Sequence, residues 1–300
     1  MFSARRRRAE NVIAPYIEKL INFIMKEKTS HPIGVFDSGY GGLTILKEFV
    51  SKLPDNDFVY LGDNARNPYG TRSFETVHAY TLEAVTKLFR MGCHLIIIAC
   101  NTASARALRT IQQKDLPRID QNRRVLGVIR PTAEIVGSVT KTKHVGVIGT
   151  VGTVNSQSYL LEIKKLFPEL TVAQEACPLW VPLVENNELD SPGTDYFVQK
   201  NINHLLSADP EIDAIILGCT HYPLLMDAIR RFTPSHVKII PQDRIVADSL
   251  IDYLGRHPEI SDRCSRNRTV RFYTTDSTQL FDELGTIFFS KPVRSEKIVL

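Results

Sequence analysis

The sequence predicts an α/β protein of two pseudo-symmetric lobes, each an open, mostly parallel sheet, with the active site in the cleft between them. Three observations carry that prediction. From His31 onward, apolar runs bounded by glycine alternate with helical patterns, as repeated β-α units do. Several runs are unbroken Ile, Val and Leu, which suits parallel strands covered on both faces. The third observation is an internal repeat. Ile33-Gly34-Val35-Phe36-Asp37-Ser38-Gly39 resembles Val145-Gly146-Val147-Ile148-Gly149-Thr150, and Leu95-Ile96-Ile97-Ile98-Ala99-Cys100-Asn101-Thr102 resembles Ala214-Ile215-Ile216-Leu217-Gly218-Cys219-Thr220-His221.

In chain order, the first predicted strand, 33–36, is an apolar run closed by Asp37-Ser38-Gly39, and a helical pattern follows over 43–52. The run 58–61 ends at Gly62-Asp63 and leads to a long helical pattern over 74–91. The isoleucine-rich run 95–99 ends at Cys100, and a further run covers 125–129. The second set comprises strands at 144–148, 171–173, 214–217 and 238–240, with a helix over 156–165. A last strand is expected at 270–273. Residues 1–30 differ from this body. The basic run Arg5 to Arg8 precedes Ile13, Ile17, Leu20, Ile21 and Ile24 at helical spacing. They read as a short amphipathic helix docked on the body, as a start site placed upstream of Met25, or as a surface-binding or regulatory arm. Glu18 and Lys19 interrupt the apolar stretch and argue against a secretory signal.

The chain has 300 residues, 43% of them hydrophobic and 23% charged. That length allows two domains and a core that needs neither disulfides nor metal. The net charge of +4 owes much to Arg5 to Arg8, so no nucleic-acid partner is implied. No apolar run reaches the ~18 residues of a membrane-crossing helix. The five cysteines are widely separated and form no Cys-x-x-Cys pair. They read as free thiols of a reducing cytoplasm. Cys219 and His221 are the one close ligand-like pair, short of the roughly four ligands of structural zinc.

Cys93, Cys177 and Cys264 read as small buried apolar residues. Cys100 and Cys219 differ, because each ends an apolar strand before polar, helix-starting residues. In open α/β sheets that strand end is where ligands bind. Asn101-Thr102 precedes a helix-forming run, and Pro223 suits a first helical turn. Helix amino termini would lower the pKa of both thiols and offer N–H groups to carboxylates. Inverting a Cα centre takes one group that removes a proton on one face and another that delivers it on the other. Two like thiols on opposed lobes meet that need in both directions. No pyridoxal cofactor is required where hydrogen bonds stabilise the carbanion and water is excluded. Asp37 is either an Asx-turn residue or an acid–base helper to a thiol. His221, two residues after Cys219, can supply a proton or steady a thiolate. Glu185 follows the apolar run Val181-Pro182-Leu183-Val184, with Glu188 close by. Thr102 and Thr220 can cap helices, Pro68-Tyr69-Gly70 reads as a turn, and Asp63 with Arg66 reads as a structural pair.

With these residues in view, the sequence resembles the glutamate racemases of the aspartate/glutamate racemase superfamily, from about Pro32 to about Asp276. Five motifs in order carry the resemblance: 34–43, 62–70, 99–104, 181–185 and 217–225. The resemblance implies a cofactor-independent interconversion of L- and D-glutamate that supplies bacterial peptidoglycan. It implies that Cys219 takes the α-proton from L-glutamate and Cys100 takes it from D-glutamate. Asp37 would sit near Cys100, and Ser38 would bind substrate. His221 and Glu185 would assist Cys219, and Tyr69, Gly70, Asn101, Thr102 and Thr220 would complete the substrate shell. A cytoplasmic homodimer is implied, as is a last segment returning to the first lobe. The lobes are then 31–124 with 236–300, carrying Asp37 and Cys100, and 125–235, carrying Glu185, Cys219 and His221, after an extension at 1–30.

Three rival readings fit the residues less well. A dinucleotide-binding protein would use Gly39-x-Gly41 and Asp63, but Thr44 holds the third glycine position and Asp37 would repel a pyrophosphate. A thiol hydrolase would leave two matched cysteines unexplained. A relative acting on another amino acid such as aspartate fits the fold, but the motifs around Asp37 and Tyr69 look like the glutamate branch.

Overall fold

The structure, a computed structural model, describes residues 31–300. The helix expected within residues 1–30 lies outside them. Ten strands form two sheets: β1 (Ile33–Asp37), β2 (Phe58–Gly62), β3 (Leu95–Ile98), β4 (Arg124–Gly127), β5 (His144–Gly149), β6 (Thr171–Ala176), β7 (Ala214–Gly218), β8 (Lys238–Ile240), β9 (Val270–Thr274) and β10 (Ser295–Lys297). The first sheet runs β10-β9-β2-β1-β3-β4 and the second β6-β5-β7-β8. Every pairing is parallel.

The expected repeat is present as topology. β2-β1-β3-β4 and β6-β5-β7-β8 follow the same order, so strand order reverses beside β1 in one sheet and beside β5 in the other. The carboxyl ends of strands at such a reversal open a crevice where ligands bind. Ser38 and Cys100 leave β1 and β3 at the first reversal, and Thr150 and Cys219 leave β5 and β7 at the second.

Side-chain alternation builds the layers. Ile33 and Val35 of β1, with Leu95 and Ile97 of β3, join one core with Leu43, Leu46 and Phe49 of the helix Leu43–Lys52. Phe36, Ile96 and Ile98 point to the other face, against Val77, Ala84, Val85 and Leu88 of the helix Phe74–Arg90. That helix follows from its sequence. The Ser73 side chain caps it by accepting from Thr76 N–H, and Glu75 and Arg90 complement its dipole. It ends before Gly92, which takes φ 95°. Burying each large apolar side chain of its inner face contributes roughly 1.5–3 kcal/mol.

Two strands lie across the boundaries expected from sequence. β4 pairs with β3, so it belongs to the first lobe, although 125 was expected to open the second. β8 pairs with β7, so it belongs to the second lobe, although 236 was expected to return to the first. Both are short strands, and their registers rather than their composition decide their sheet. The expected strand over 125–129 also loses Ile129, which starts the helix Ile129–Val139. β10 was not expected. Ser295-Glu296-Lys297 carries no apolar pattern and forms because β9 offers an open edge. Such a charged edge strand also discourages further pairing.

Candidate active site

At the end of β1, Asp37 is 1% exposed and its Oδ1 accepts from Gly39 N–H at 2.8 Å. That bond is the Asx-type turn. Oδ2 also accepts from Thr220 Oγ1 of the other lobe at 3.5 Å. Burial raises its pKa, against the opposing charge of His221.

At the end of β3, Cys100 stands at the N-cap of the helix Asn101–Arg106, where its Sγ accepts from Ala103 N–H at 3.4 Å. Ser38 Oγ lies 3.4 Å from the same sulfur. A lowered pKa was expected here, and the structure overturns it. Burial first, and the charge of Asp37 second, push the Cys100 thiol up to about 12 against the bonds from Ser38 and Ala103. The helix is only six residues long, and its dipole yields to desolvation.

At the end of β7, Cys219 does not sit at an α-helix amino terminus as expected. A 3-10 turn, Tyr222–Leu225 with Pro223 in its first positions, stands before the helix Met226–Phe232. The sulfur instead faces His221 Nδ1 at 3.9 Å. His221 Nε2 lies 2.9 Å from Glu185 Oε1, at the last residue of the helix Trp180–Glu185. Burial opposes a charged imidazole, but the bonds to Cys219 and Glu185 outweigh it and push His221 up to about 10. Glu185 therefore meets His221, while Glu188 uses its carbonyl to receive Ser191 and Thr194 at the next helix.

The remaining expected residues divide. Ser38, Tyr69, Gly70, Asn101, Thr102, Thr220 and His221 all line one cavity of about 100 Å³ with Cys100 and Cys219. Tyr69, however, spends its hydroxyl on Asp63 Oδ2 at 2.5 Å, beside Arg66 Nε at 2.7 Å on the same oxygen. The Asp63–Arg66 pair thus orders the loop. Asn101 turns its amide away into a buried network, to Gln242 Oε1 at 2.6 Å and from Tyr159 OH at 2.7 Å. Gly70 and Thr102 meet the second lobe, through Gly152 N–H to Gly70 O at 2.8 Å and Thr102 Oγ1 to Thr150 Oγ1 at 2.8 Å. No lysine or arginine lines this cavity among the described residues. A bound carboxylate would be met there by hydroxyls and N–H groups.

Of the lining residues that sequence reasoning missed, Cys177 and Asn67 carry the most chemistry. Cys177 is buried as expected, but it borders the cavity beside Cys219. Its position directly after β6, before Pro178, was the available signal. Asn67 reaches from the first lobe to Glu185. Its place inside the 62–70 motif was the available signal.

The lobes touch tightly at Gly41. A Cβ there would stand 2.2 Å from Thr220 Oγ1 and 2.5 Å from His221 Nδ1. Gly41→Ala is expected to push His221 out of place and lower kcat/KM about tenfold or more. Steady-state assays, with thermal unfolding to show a retained fold, check this.

Two opposed parallel sheets that bring two thiols to one small cleft define a two-lobed α/β racemase. The family model for Asp/Glu/Hydantoin racemase matches residues 43–247. The chain belongs to the glutamate racemases. It is 38% identical to the glutamate racemase of Persephonella marina over 269 residues, which is 89% of this chain and 97% of that one. A glutamate racemase isoform from Bacillus anthracis superimposes with TM-score 0.82 at 35% identity, covering 91% of this chain and 98% of that one. The glutamate racemase of Francisella tularensis, solved in complex with D-glutamate, gives TM-score 0.80 at 34% identity over the same shares.

Proposed function

We propose that this glutamate racemase works by a two-thiol, cofactor-independent proton transfer at Cα. The observation that carries the proposal is the presence of Cys100 and Cys219 in one cavity, on equivalent strands of two topologically matched sheets. Toward L-glutamate, Cys219 acts as a thiolate steadied by the His221 imidazolium, and it takes the α-hydrogen as a proton. The bonding pair stays on a planar Cα. Cys100, held as a thiol by burial, returns a proton to the opposite face, leaving a Cys100 thiolate and a Cys219 thiol. D-glutamate runs the steps in reverse. Asp37 assists at Cys100, and Glu185 keeps His221 charged. Ser38, Thr102 and Thr220, with the backbone N–H groups of Gly70 and Asn101, meet the substrate's carboxylates and amine, with Tyr69 shaping the loop. The D-glutamate formed serves peptidoglycan synthesis in a bacterial cytoplasm, where five free thiols persist. The working form is a homodimer.

Incubation of the enzyme with L- or D-glutamate in deuterium oxide, without added cofactor, tests the reading. Optical activity should decay while deuterium enters Cα alone, followed by circular dichroism and proton NMR. Racemisation without solvent deuterium at Cα would refute proton transfer through exchangeable thiols.

A further inference from the structure

We infer that Asn67 is a positioning residue for the Cys219 side of the reaction, holding Glu185 against His221 from across the cleft. The inference rests on the assisting roles proposed for His221 and Glu185. Asn67 Nδ2 donates to Glu185 Oε1 at 2.8 Å and Oε2 at 3.0 Å, and Oε1 is the oxygen that faces His221 Nε2. Asn67 belongs to the first lobe, 118 residues from Glu185 in sequence. The arrangement therefore exists only when the lobes face one another.

The loop that presents Asn67 is built to stay still. Asp63 is fully buried and receives Arg66 Nε at 2.7 Å, Tyr69 OH at 2.5 Å and Thr275 Oγ1 at 2.9 Å. Arg66 also stacks over the Tyr80 ring at 4.0 Å. Gly39 leaves room for the amide, since a Cβ there would stand 3.3 Å from Asn67 Cγ. The residue type suits the task. An amide supplies two N–H donors and no charge. It fixes a carboxylate without cancelling the field that the carboxylate exerts on an imidazolium. A lysine or arginine would compete with His221 for Glu185, and an aspartate would repel it.

The charged and titratable groups around this relay are few. His221 faces Cys219 on its own turn, Glu185 from the helix Trp180–Glu185 and Asp37 from β1. The helix Thr278–Phe289 presents it only the Phe288 ring, at 5.2 Å. Tyr40 lies near Glu185. With Asn67 removed, Glu185 swings more freely and favours the imidazolium less, so the alkaline limb of kcat/KM should move to lower pH.

Asn67→Ala, Asn67→Asp and Asn67→Gln in the full chain test this, beside Glu185→Gln and His221→Asn. Enantiomers have equal free energies in water, so kcat/KM must fall alike in both directions. For Asn67→Ala we expect about a tenfold fall and an alkaline limb shifted down. The Cα-deuterium isotope effect should grow with L-glutamate, where Cys219 takes the proton, and shrink with D-glutamate. Asn67→Asp, of the same shape, should lose more activity at neutral pH and regain part in acid. Asn67→Gln should recover part of the loss. The inference is overturned if the alkaline limb stays put in both the Ala and Asp variants, or if isotope effects change equally for both enantiomers. Should Glu185→Gln and His221→Asn both keep full activity, the assisting roles themselves fail and the inference falls with them. If those two lose activity while the Asn67 variants do not, only the inference falls.

Discussion

Cys100→Ser and Cys219→Ser are each expected to abolish net racemisation, with kcat/KM falling about a thousandfold or more. A serine hydroxyl holds its proton far more tightly than a thiol, so neither abstraction nor the reverse delivery proceeds at that face. The two losses should differ in what they leave. Cys100→Ser retains Cys219, which can still remove the α-proton of L-glutamate and return a deuteron from solvent to the same face. Cys219→Ser should give the mirror result, with exchange confined to D-glutamate. NMR of each enantiomer in deuterium oxide reads this directly. Near wild-type inversion in either variant would defeat the two-thiol assignment.

His221→Asn should have the next largest effect, lowering kcat/KM about a hundredfold at neutral pH. The sign of its pH dependence follows from the structure. His221 is raised from 6.5 to about 10 by Cys219 and Glu185, so the imidazolium is present in the folded enzyme below about pH 10. Activity that needs this charge should fall as pH rises through that value, and the variant should lack that limb. Stability is linked in the same sense. The folded state binds the proton more tightly than the unfolded chain, so the contribution is full below pH 6.5 and lost as pH rises toward about 10. Urea unfolding of wild type and variant across this range should show the wild type losing the more stability. Parallel curves would remove the imidazolium from the account.

The sheets were legible because β1, β3, β5 and β7 are built from unbroken apolar runs that only a doubly covered strand accommodates. Their repeated Gly-rich and Cys-ending turns told of two lobes. β10 was not legible, since its residues pair with β9 for want of another partner at that edge. The placement of Cys100 at a helix start was read correctly, but not the direction of its pKa. That direction depends on burial and on Asp37, both supplied by tertiary packing. Asn67 and Glu185 are 118 residues apart, and Asn101 and Gln242 are 141 apart. No local periodicity couples such pairs. Cys177 was hidden for a different reason. Its burial fits a core residue, and only tertiary packing sets it on the cavity wall.

The depth at which Cys100 sits has a consequence for chemical damage. Peroxides and alkylating agents attack the sulfur anion and need access to it. A Cys100 sulfur kept protonated and 7% exposed offers them little of either. In the resting enzyme this sulfur is thus expected to endure oxidants, which would meet Cys219 first. Electrophilic inhibitors, by the same logic, would gain on this sulfur mainly in the form of the enzyme that releases or receives D-glutamate, when Cys100 is the thiolate.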